Sequence, residues 1–266
     1  MKKFVLLFLI TGLLSNLFAQ KWQLDSELQL LDSSQHWTID EWGQLYQWKE
    51  NAISVQNTQT NQLLHESFKN FGQITGIYPL NGLRVLIFSE DQQMIGILDN
   101  TLQMKGEALN LSDYGFSYVS AVAKSSRPDY IWIFDQYRSR LILFNLSTRT
   151  STQILDNAFG KAFNPQIMQL MEYQSDLYCL LQNGQLFHFD RNLTLVEQTN
   201  ISSEFLLFSN KNKLLLANTY EFFEFVSPIG EMSQDFPTGE HFLRQVFNDL
   251  YYFQRGHKIY VYTLKL

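Results

Sequence analysis

The side chains in this chain of 266 residues that could carry out chemistry are few and scattered. The five histidines, His36, His65, His188, His241 and His257, do not fall at the spacing of a zinc pair, and none belongs to a Cys-His cluster. The single cysteine, Cys179, lies in the apolar string Leu177-Tyr178-Cys179-Leu180-Leu181, which predicts a buried small hydrophobe rather than a nucleophile. Neither a G-x-S-x-G elbow nor a phosphate-binding glycine loop occurs. The sequence therefore predicts no catalytic residue, no metal ligand and no cofactor. What it carries is the chemistry of contact, in strings dense with aromatics. These are Asp113-Tyr114-Gly115-Phe116-Ser117-Tyr118, Phe159-Gly160-Lys161-Ala162-Phe163-Asn164 and Phe236-Pro237-Thr238-Gly239-Glu240-His241-Phe242.

Such strings can act together only if the elements between them bring them to one place. The elements are strands, arranged as a repeat. The best-defined copy is Tyr130-Ile131-Trp132-Ile133-Phe134-Asp135, a turn at Tyr137-Arg138-Ser139, then Arg140-Leu141-Ile142-Leu143-Phe144-Asn145. A second runs Asp176 to Leu181, turns at Asn183-Gly184 and returns from Gln185 to Asp190. Asn-Gly between two apolar runs is a strong hairpin signal, because a type I′ turn needs positive φ at both central residues. Four weaker copies turn at Glu41-Trp42-Gly43, Glu90-Asp91-Gln92, Asn218-Thr219-Tyr220 and Gln254-Arg255-Gly256. Most hairpins have a short apolar strand before them, as at Gln73 to Tyr78 and Val119 to Ala123. Most have a fourth strand after them, as at Leu102 to Met104 and Thr152 to Leu155.

Six units over residues 20–266 give roughly 41 residues per unit, the size of a four-stranded propeller blade. The expected fold is an all-β propeller, six four-stranded blades closed by an N-terminal strand from Trp22 to Leu31. The strand-turn-strand unit ending in Phe-Asp, as in Leu186-Phe187-His188-Phe189-Asp190, resembles the six-bladed propellers of the NHL and YWTD type. The Tyr-Trp-Thr-Asp string itself is absent, and Ile131-Trp132-Ile133-Phe134-Asp135 is its nearest echo. Some exported propellers of that kind are lactonases holding a divalent cation over the central channel with acidic and Asn side chains. Here only Glu172 and Glu204 stand near such a position.

Residues 1–19 read as a signal peptide: Lys2 and Lys3 precede an apolar stretch from Phe4 to Leu14, with a small residue at Ala19 before Gln20. At 11 residues that stretch is short for a bilayer-spanning helix, which needs about 20, and no later stretch is long enough. The mature chain is thus expected to be periplasmic or secreted, with no transmembrane segment. Its formal net charge, −6 for the whole chain, becomes −8 when Lys2 and Lys3 leave with the leader, which argues against a nucleic-acid partner. Asn and Gln often stand where Lys and Glu are usual, as in Gln56-Asn57-Thr58-Gln59-Thr60-Asn61-Gln62, and this reads as a hydrogen-bonding surface without a strong field. Asn110, Asn145, Asn192 and Asn200 begin glycosylation-acceptor triplets, which carry no meaning in a bacterial export route.

In a propeller the blade-to-blade connections and the turns between second and third strands share one face. That places Tyr114, Phe116, Tyr118, Tyr137, Arg138, Phe159, Phe163, Tyr220 and His241 together as candidate partner-binding residues. A competing account is that their rings plug the gaps between blades. The expected function is a non-enzymatic exported protein-interaction subunit. With its export signal and Asn/Gln-rich body, the chain is similar to exported proteins of the Bacteroidetes type and resembles the plug subunits that close the periplasmic end of type 9 secretion translocons. That resemblance implies an outer-membrane translocon as partner and a capping role. The alternative is a propeller binding a small molecule or glycan at its channel, or a metal-dependent lactonase-like hydrolase.

Overall fold

The computed structural model describes residues 21–33, 35–160, 164–225, 234–237 and 242–265. The proposed leader, Phe163 and His241 lie outside the described residues. The described residues form six four-stranded antiparallel sheets and no α-helix, and the sheets follow one another around a ring as the blades of a β-propeller.

The closing strand β1 (Lys21–Gln29) comes first in the chain. Blade one is β2 (His36–Ile39), β3 (Gln44–Lys49), β4 (Ala52–Asn57) and β5 (Leu63–Ser67). Blade two is β6 (Gly76–Asn81), β7 (Arg84–Ser89), β8 (Met94–Asp99) and β9 (Leu109–Asn110). Blade three is β10 (Val119–Lys124), β11 (Tyr130–Asp135), β12 (Arg140–Asn145) and β13 (Thr150–Leu155). Blade four is β14 (Ile167–Tyr173), β15 (Asp176–Leu181), β16 (Gln185–Phe189) and β17 (Leu195–Asn200). Blade five is β18 (Leu206–Asn210), β19 (Lys213–Ala217), β20 (Glu221–Glu224) and β21 (Gln234–Asp235). Blade six is β22 (Phe242–Phe247), β23 (Leu250–Arg255) and β24 (Lys258–Lys265), completed by β1, which runs antiparallel to β24 from Lys21↔Lys265 to Gln29↔Lys258. The whole of β1 belongs to this last blade, and β2 is a separate inner strand. The first blade therefore takes nothing from the closing segment, and the ring hides two sheet edges at one seam.

The centres of most middle strands are near-continuous apolar runs because both faces of each blade are buried. On β11, Ile131 and Ile133 enter the core between blades two and three, while Trp132 and Phe134 enter the core between blades three and four. On β12 the alternation is repeated by Ile142 and Phe144 against Leu141 and Leu143. Period-two geometry on a sheet covered on both sides produces such unbroken runs. Each gap between consecutive blades has its own apolar cluster. Cys179 is fully buried in one of them, and burial raises its thiol pKa, as the apolar string around it predicts.

Two expectations are corrected. The hairpin around Glu41-Trp42-Gly43 joins the first and second strands of its blade, not the second and third. Asp40 closes this turn by accepting from Trp42 N and Gln44 N, and Gly43 supplies a φ of +75°. The true second-to-third turn is Glu50-Asn51, with Glu50 at φ 53° and no glycine to mark it. In blade two, Leu102 to Met104 is not a full strand: only an isolated bridge joins Leu98 to Met104, and the outer strand is β9. Asp99 accepts from Thr101 N and Gln103 N, and Leu102 turns inward at 2% exposure, which interrupts the ladder.

The amide side chains have a role that composition conceals. Gln169 of blade four donates to Leu207 O (2.7 Å) and accepts from Leu207 N (2.8 Å) on the inner strand of blade five. Gln93 does the same to Val119 of blade three, and Gln245 to Ile39 of blade one. Each copies a backbone pair across a gap too wide for the strands to bond directly. Between blades five and six, Asn210 and Asp249 exchange a similar pair of bonds. Gln169→Leu is expected to cost about 1–3 kcal/mol, since it strands a buried donor and acceptor, whereas Gln59→Leu on the exposed stretch should stay within about 0.5 kcal/mol. Guanidinium unfolding midpoints at constant slope measure both; equal, small shifts would show that the amide ties contribute nothing.

Candidate functional site

The blade-to-blade connections and second-to-third-strand turns meet on one face, as their contacts show. Gln136 N donates to Tyr118 O (2.8 Å), Ala158 N to Ser139 O (3.0 Å) and Gln182 N to Gln166 O (3.0 Å). The connection into blade three is drawn down by Asp135, the last residue of β11. Its buried carboxylate accepts from Ser117 N, Ser117 Oγ and Tyr118 N, and pairs with Arg140 at 2.7 Å. Burial opposes that charge, but Arg140, Ser117 and the backbone donors outweigh it and hold the carboxyl below its usual range.

On this framework Tyr118, Tyr137 and Arg138 come together. The two tyrosine rings stack at 4.9 Å and 19°, and Arg138 Nη1 donates to Gly115 O at 2.8 Å. Tyr118 also donates its hydroxyl to Glu90 (2.8 Å) from the β7–β8 turn. That hydrogen bond, with burial and the nearby Glu90 charge, pushes the Tyr118 pKa up to about 12. Tyr137 remains 70% exposed and presents the outer face of the stack to solvent. Tyr220 is 77% exposed on the β19–β20 turn, on the other side of the ring.

The other described candidates, Tyr114, Phe116 and Phe159, do not join this cluster. Phe116 is buried between blades two and three, edge-on to Phe144. Phe159 is buried between blades three and four among Phe134, Phe187 and Phe189. Tyr114 is edge-on to Phe144, and its hydroxyl accepts from Arg149. These rings plug gaps, so replacing Phe116 or Phe159 would test stability before it tested binding.

Sequence reasoning missed a cleft of about 610 Å³ on the same face, formed over blades five and six by Tyr220, Phe242, Arg244, Gln254, Arg255 and Ser33. Phe242 and Arg244 flank the buried Leu243 on β22, where the register shifts between Leu243 and Gln245, and Arg244 lies over the Phe242 ring at 5.8 Å. That bulge breaks the period-two pattern, so the sequence alone does not place the two side chains together.

The central channel holds two cavities of about 420 and 360 Å³, both lined by Tyr78 and Leu170. The Tyr78 ring folds back over Gly76, where a Cβ would stand 2.7 Å from it, so a larger residue there would push the ring aside. Burial, with Glu90 nearby, pushes the Tyr78 pKa up to about 12. Glu172, at the edge of one cavity, is engaged by blade three through Ser125 Oγ (2.7 Å), Ser126 N (2.9 Å) and Trp132 Nε1. Against burial, these donors hold its carboxyl below the usual range. Glu204 is exposed, and among the described residues no three His, Cys, Asp or Glu side chains gather as a metal group.

The chain is thus a six-bladed β-propeller with an aromatic and arginine-bearing loop face. No protein-family model and no curated protein matches its sequence. Its fold is similar to virginiamycin B lyase from Staphylococcus aureus, solved with quinupristin, at a TM-score of 0.61 and 13% identity over 92% of this chain and 100% of the other. It is also similar to the Pan2 WD40 domain of Neurospora crassa, with TM-score 0.60, 8% identity, and 91% and 94% of the two chains covered. BamB from Moraxella catarrhalis gives a TM-score of 0.59 at 11% identity, with 91% and 100% covered. At these identities the likeness is one of fold. Among the described residues no helix is long and apolar enough to cross a membrane.

Proposed function

We propose that this propeller is an exported, non-enzymatic protein-interaction subunit whose loop face engages a protein partner. The observation that carries the reading is the exposure of Tyr137 and Tyr220 on that face, with Arg138 fixed beside the Tyr118–Tyr137 stack. Aromatic rings lose little entropy on docking, Arg138 is already held by Gly115 O, and both residue types dominate protein interfaces. A ring tied across its blades by paired amides presents them without reorganisation, which limits the cost of association.

The leader-like N-terminus and the resemblance to plug subunits extend the proposal: the chain acts in the periplasm, caps a secretion channel of the outer membrane, and begins at Gln20 after cleavage. Terminal sequencing of protein from the native host tests the cleavage directly. Tyr137→Ser combined with Arg138→Gln is expected to abolish recovery of the translocon component that co-purifies with the native chain, with the thermal transition unchanged because Tyr137 and Arg138 are both exposed. Undiminished recovery would sink the reading.

A small-molecule or glycan site in the channel is the second reading, and the two cavities beside Tyr78 are what favour it. Glu172, committed to three donors of blade three, is poorly placed to hold a cation as well. A rise in melting temperature with Ca²⁺ or Zn²⁺, reversed by chelator, would move the balance to the lactonase-like form of this reading.

A further inference from the structure

The cleft over blades five and six differs in chemistry from the Tyr118–Tyr137 stack. Two guanidinium groups, Arg244 from the inner strand β22 and Arg255 from the end of β23, face it together with the exposed rings of Tyr220 and Phe242. None of the described residues lining it is acidic, in a chain whose net charge is −6. The seven ion pairs among the described residues include neither arginine. Gln254 is fixed in place: it accepts from Trp37 Nε1 at 2.8 Å and donates to the carbonyls of Ser33 and Gly256. The floor is therefore preorganised, and no described residue accepts from either guanidinium group, which leaves their donors to an incoming acceptor.

We propose that this cleft captures an acidic segment of a protein partner, with carboxylates meeting Arg244 and Arg255 and aromatic side chains packing on Tyr220 and Phe242. The proposal rests on the loop-face reading above and names the partner chemistry at its second patch. Guanidinium matches carboxylate in a two-point, planar geometry that Lys cannot reproduce. The aromatic rims add stacking and exclude water, which strengthens each charged hydrogen bond. A free carboxylate metabolite would use the arginines but would leave both rims unoccupied.

The test is fluorescence anisotropy with the full chain and three labelled hexapeptides: alternating Glu and Phe, alternating Gln and Phe, and hexaglutamate. The Glu-Phe peptide should bind at least about tenfold more tightly than the Gln-Phe peptide, and Arg244→Gln or Arg255→Gln should each weaken it by about tenfold. Arg191→Gln, in the β16–β17 connection on the opposite face, should change it by less than about twofold, which removes general charge as the cause. Tyr220→Ser, at an exposed position that the fold tolerates, should erase the advantage of the Glu-Phe peptide over hexaglutamate. Equal affinity for the Glu and Gln peptides, or indifference to both arginine substitutions, would overturn the proposal. So would displacement of the peptide by free glutamate at matched carboxylate concentration, which would assign the cleft to a small carboxylate instead. If the cleft fails while Tyr137→Ser with Arg138→Gln still loses its partner, the loop-face reading survives without it.

Discussion

Asp135→Ala will lower the stability of this propeller by about 3–5 kcal/mol, the cost expected when one member of a buried, hydrogen-bonded ion pair is removed. The carboxylate is completely buried and serves four donors: Ser117 N, Ser117 Oγ, Tyr118 N and Arg140 Nη2. Its removal orphans two backbone N–H groups and leaves Arg140, whose side chain is only 18% exposed, without its counter-charge. For a domain of this size each 1 kcal/mol shifts the melting temperature by about 2–4 °C, so the loss should be on the order of 10 °C by calorimetry. Arg140→Ala should also be costly, and the double variant should cost at least about 1 kcal/mol less than the two single losses together, because they remove one shared interaction. A loss below about 1 kcal/mol for Asp135→Ala would show that the connection into blade three is held by packing alone.

The same pair sets a pH dependence whose sign follows from its depressed carboxyl pKa. The unfolded chain binds the Asp135 proton near about pH 4, and the folded chain only at lower pH. The stability it contributes is therefore complete above about pH 4 and is lost as pH falls through the folded-state value. Between neutral pH and about pH 3 the native chain should lose more melting temperature than Asp135→Ala, which no longer has that contribution to lose. Parallel curves would mean that other depressed carboxyls, such as Glu172 and Asp129, dominate the acid limb.

How much of this was legible in the sequence depends on the length scale over which each feature is encoded. Hairpins are local: Asn183-Gly184, the Phe-Asp and Phe-Asn strand ends and the apolar runs specify them within about 15 residues, and the period then implies the ring. Those strand ends have a physical meaning. Asn57, Asp99, Asn145 and Asp190 each use a side-chain oxygen to accept from the backbone N–H groups of the turn that follows. Asn145 begins a glycosylation-acceptor triplet, but its side chain serves the turn by accepting from Ser147 N and Thr148 N. What composition could not separate was inward from outward. Gln93, Gln169 and Gln245 are ties between blades, whereas Gln59 is surface, and the distinction depends on partners that are 26, 38 and 206 residues away. The candidate face divided for the same reason: Tyr118, Tyr137 and Arg138 gathered, while Phe116 and Phe159 went into the gaps. Arg244 lies in no motif and Arg255 stands in the sequence only as the middle of a hairpin turn; the inner strand and that turn bring them together.

Phe159→Ala should be as damaging as the loss of Asp135, at about 3–5 kcal/mol, although Phe159 sits in a loop. The ring is 5% exposed and lies edge-on to Phe134 of blade three (5.3 Å) and Phe187 of blade four (4.9 Å), with Phe189 at 6.3 Å. It is a wedge between two sheets that make no backbone hydrogen bonds to each other, so its removal opens a cavity that neither rigid sheet can close. Edge-to-face pairs of this kind add about 0.5–1.5 kcal/mol beyond the area they bury. Phe159→Leu keeps most of the volume and should recover more than half of the loss. Tyr137→Ala, an equally aromatic loop position at 70% exposure, should change stability by less than about 0.5 kcal/mol. Chemical unfolding of the three variants at unchanged slope makes the comparison. If Phe159→Ala falls within about 1 kcal/mol of the native chain, the gap between blades three and four is held by Phe134 and Phe187 without a wedge. The aromatic excess of the loops would then belong to binding after all. If instead Phe159 and Tyr137 separate as expected, the aromatic loops do two different jobs: rings buried between blades hold the propeller together, and rings on its exposed face remain free to meet a partner.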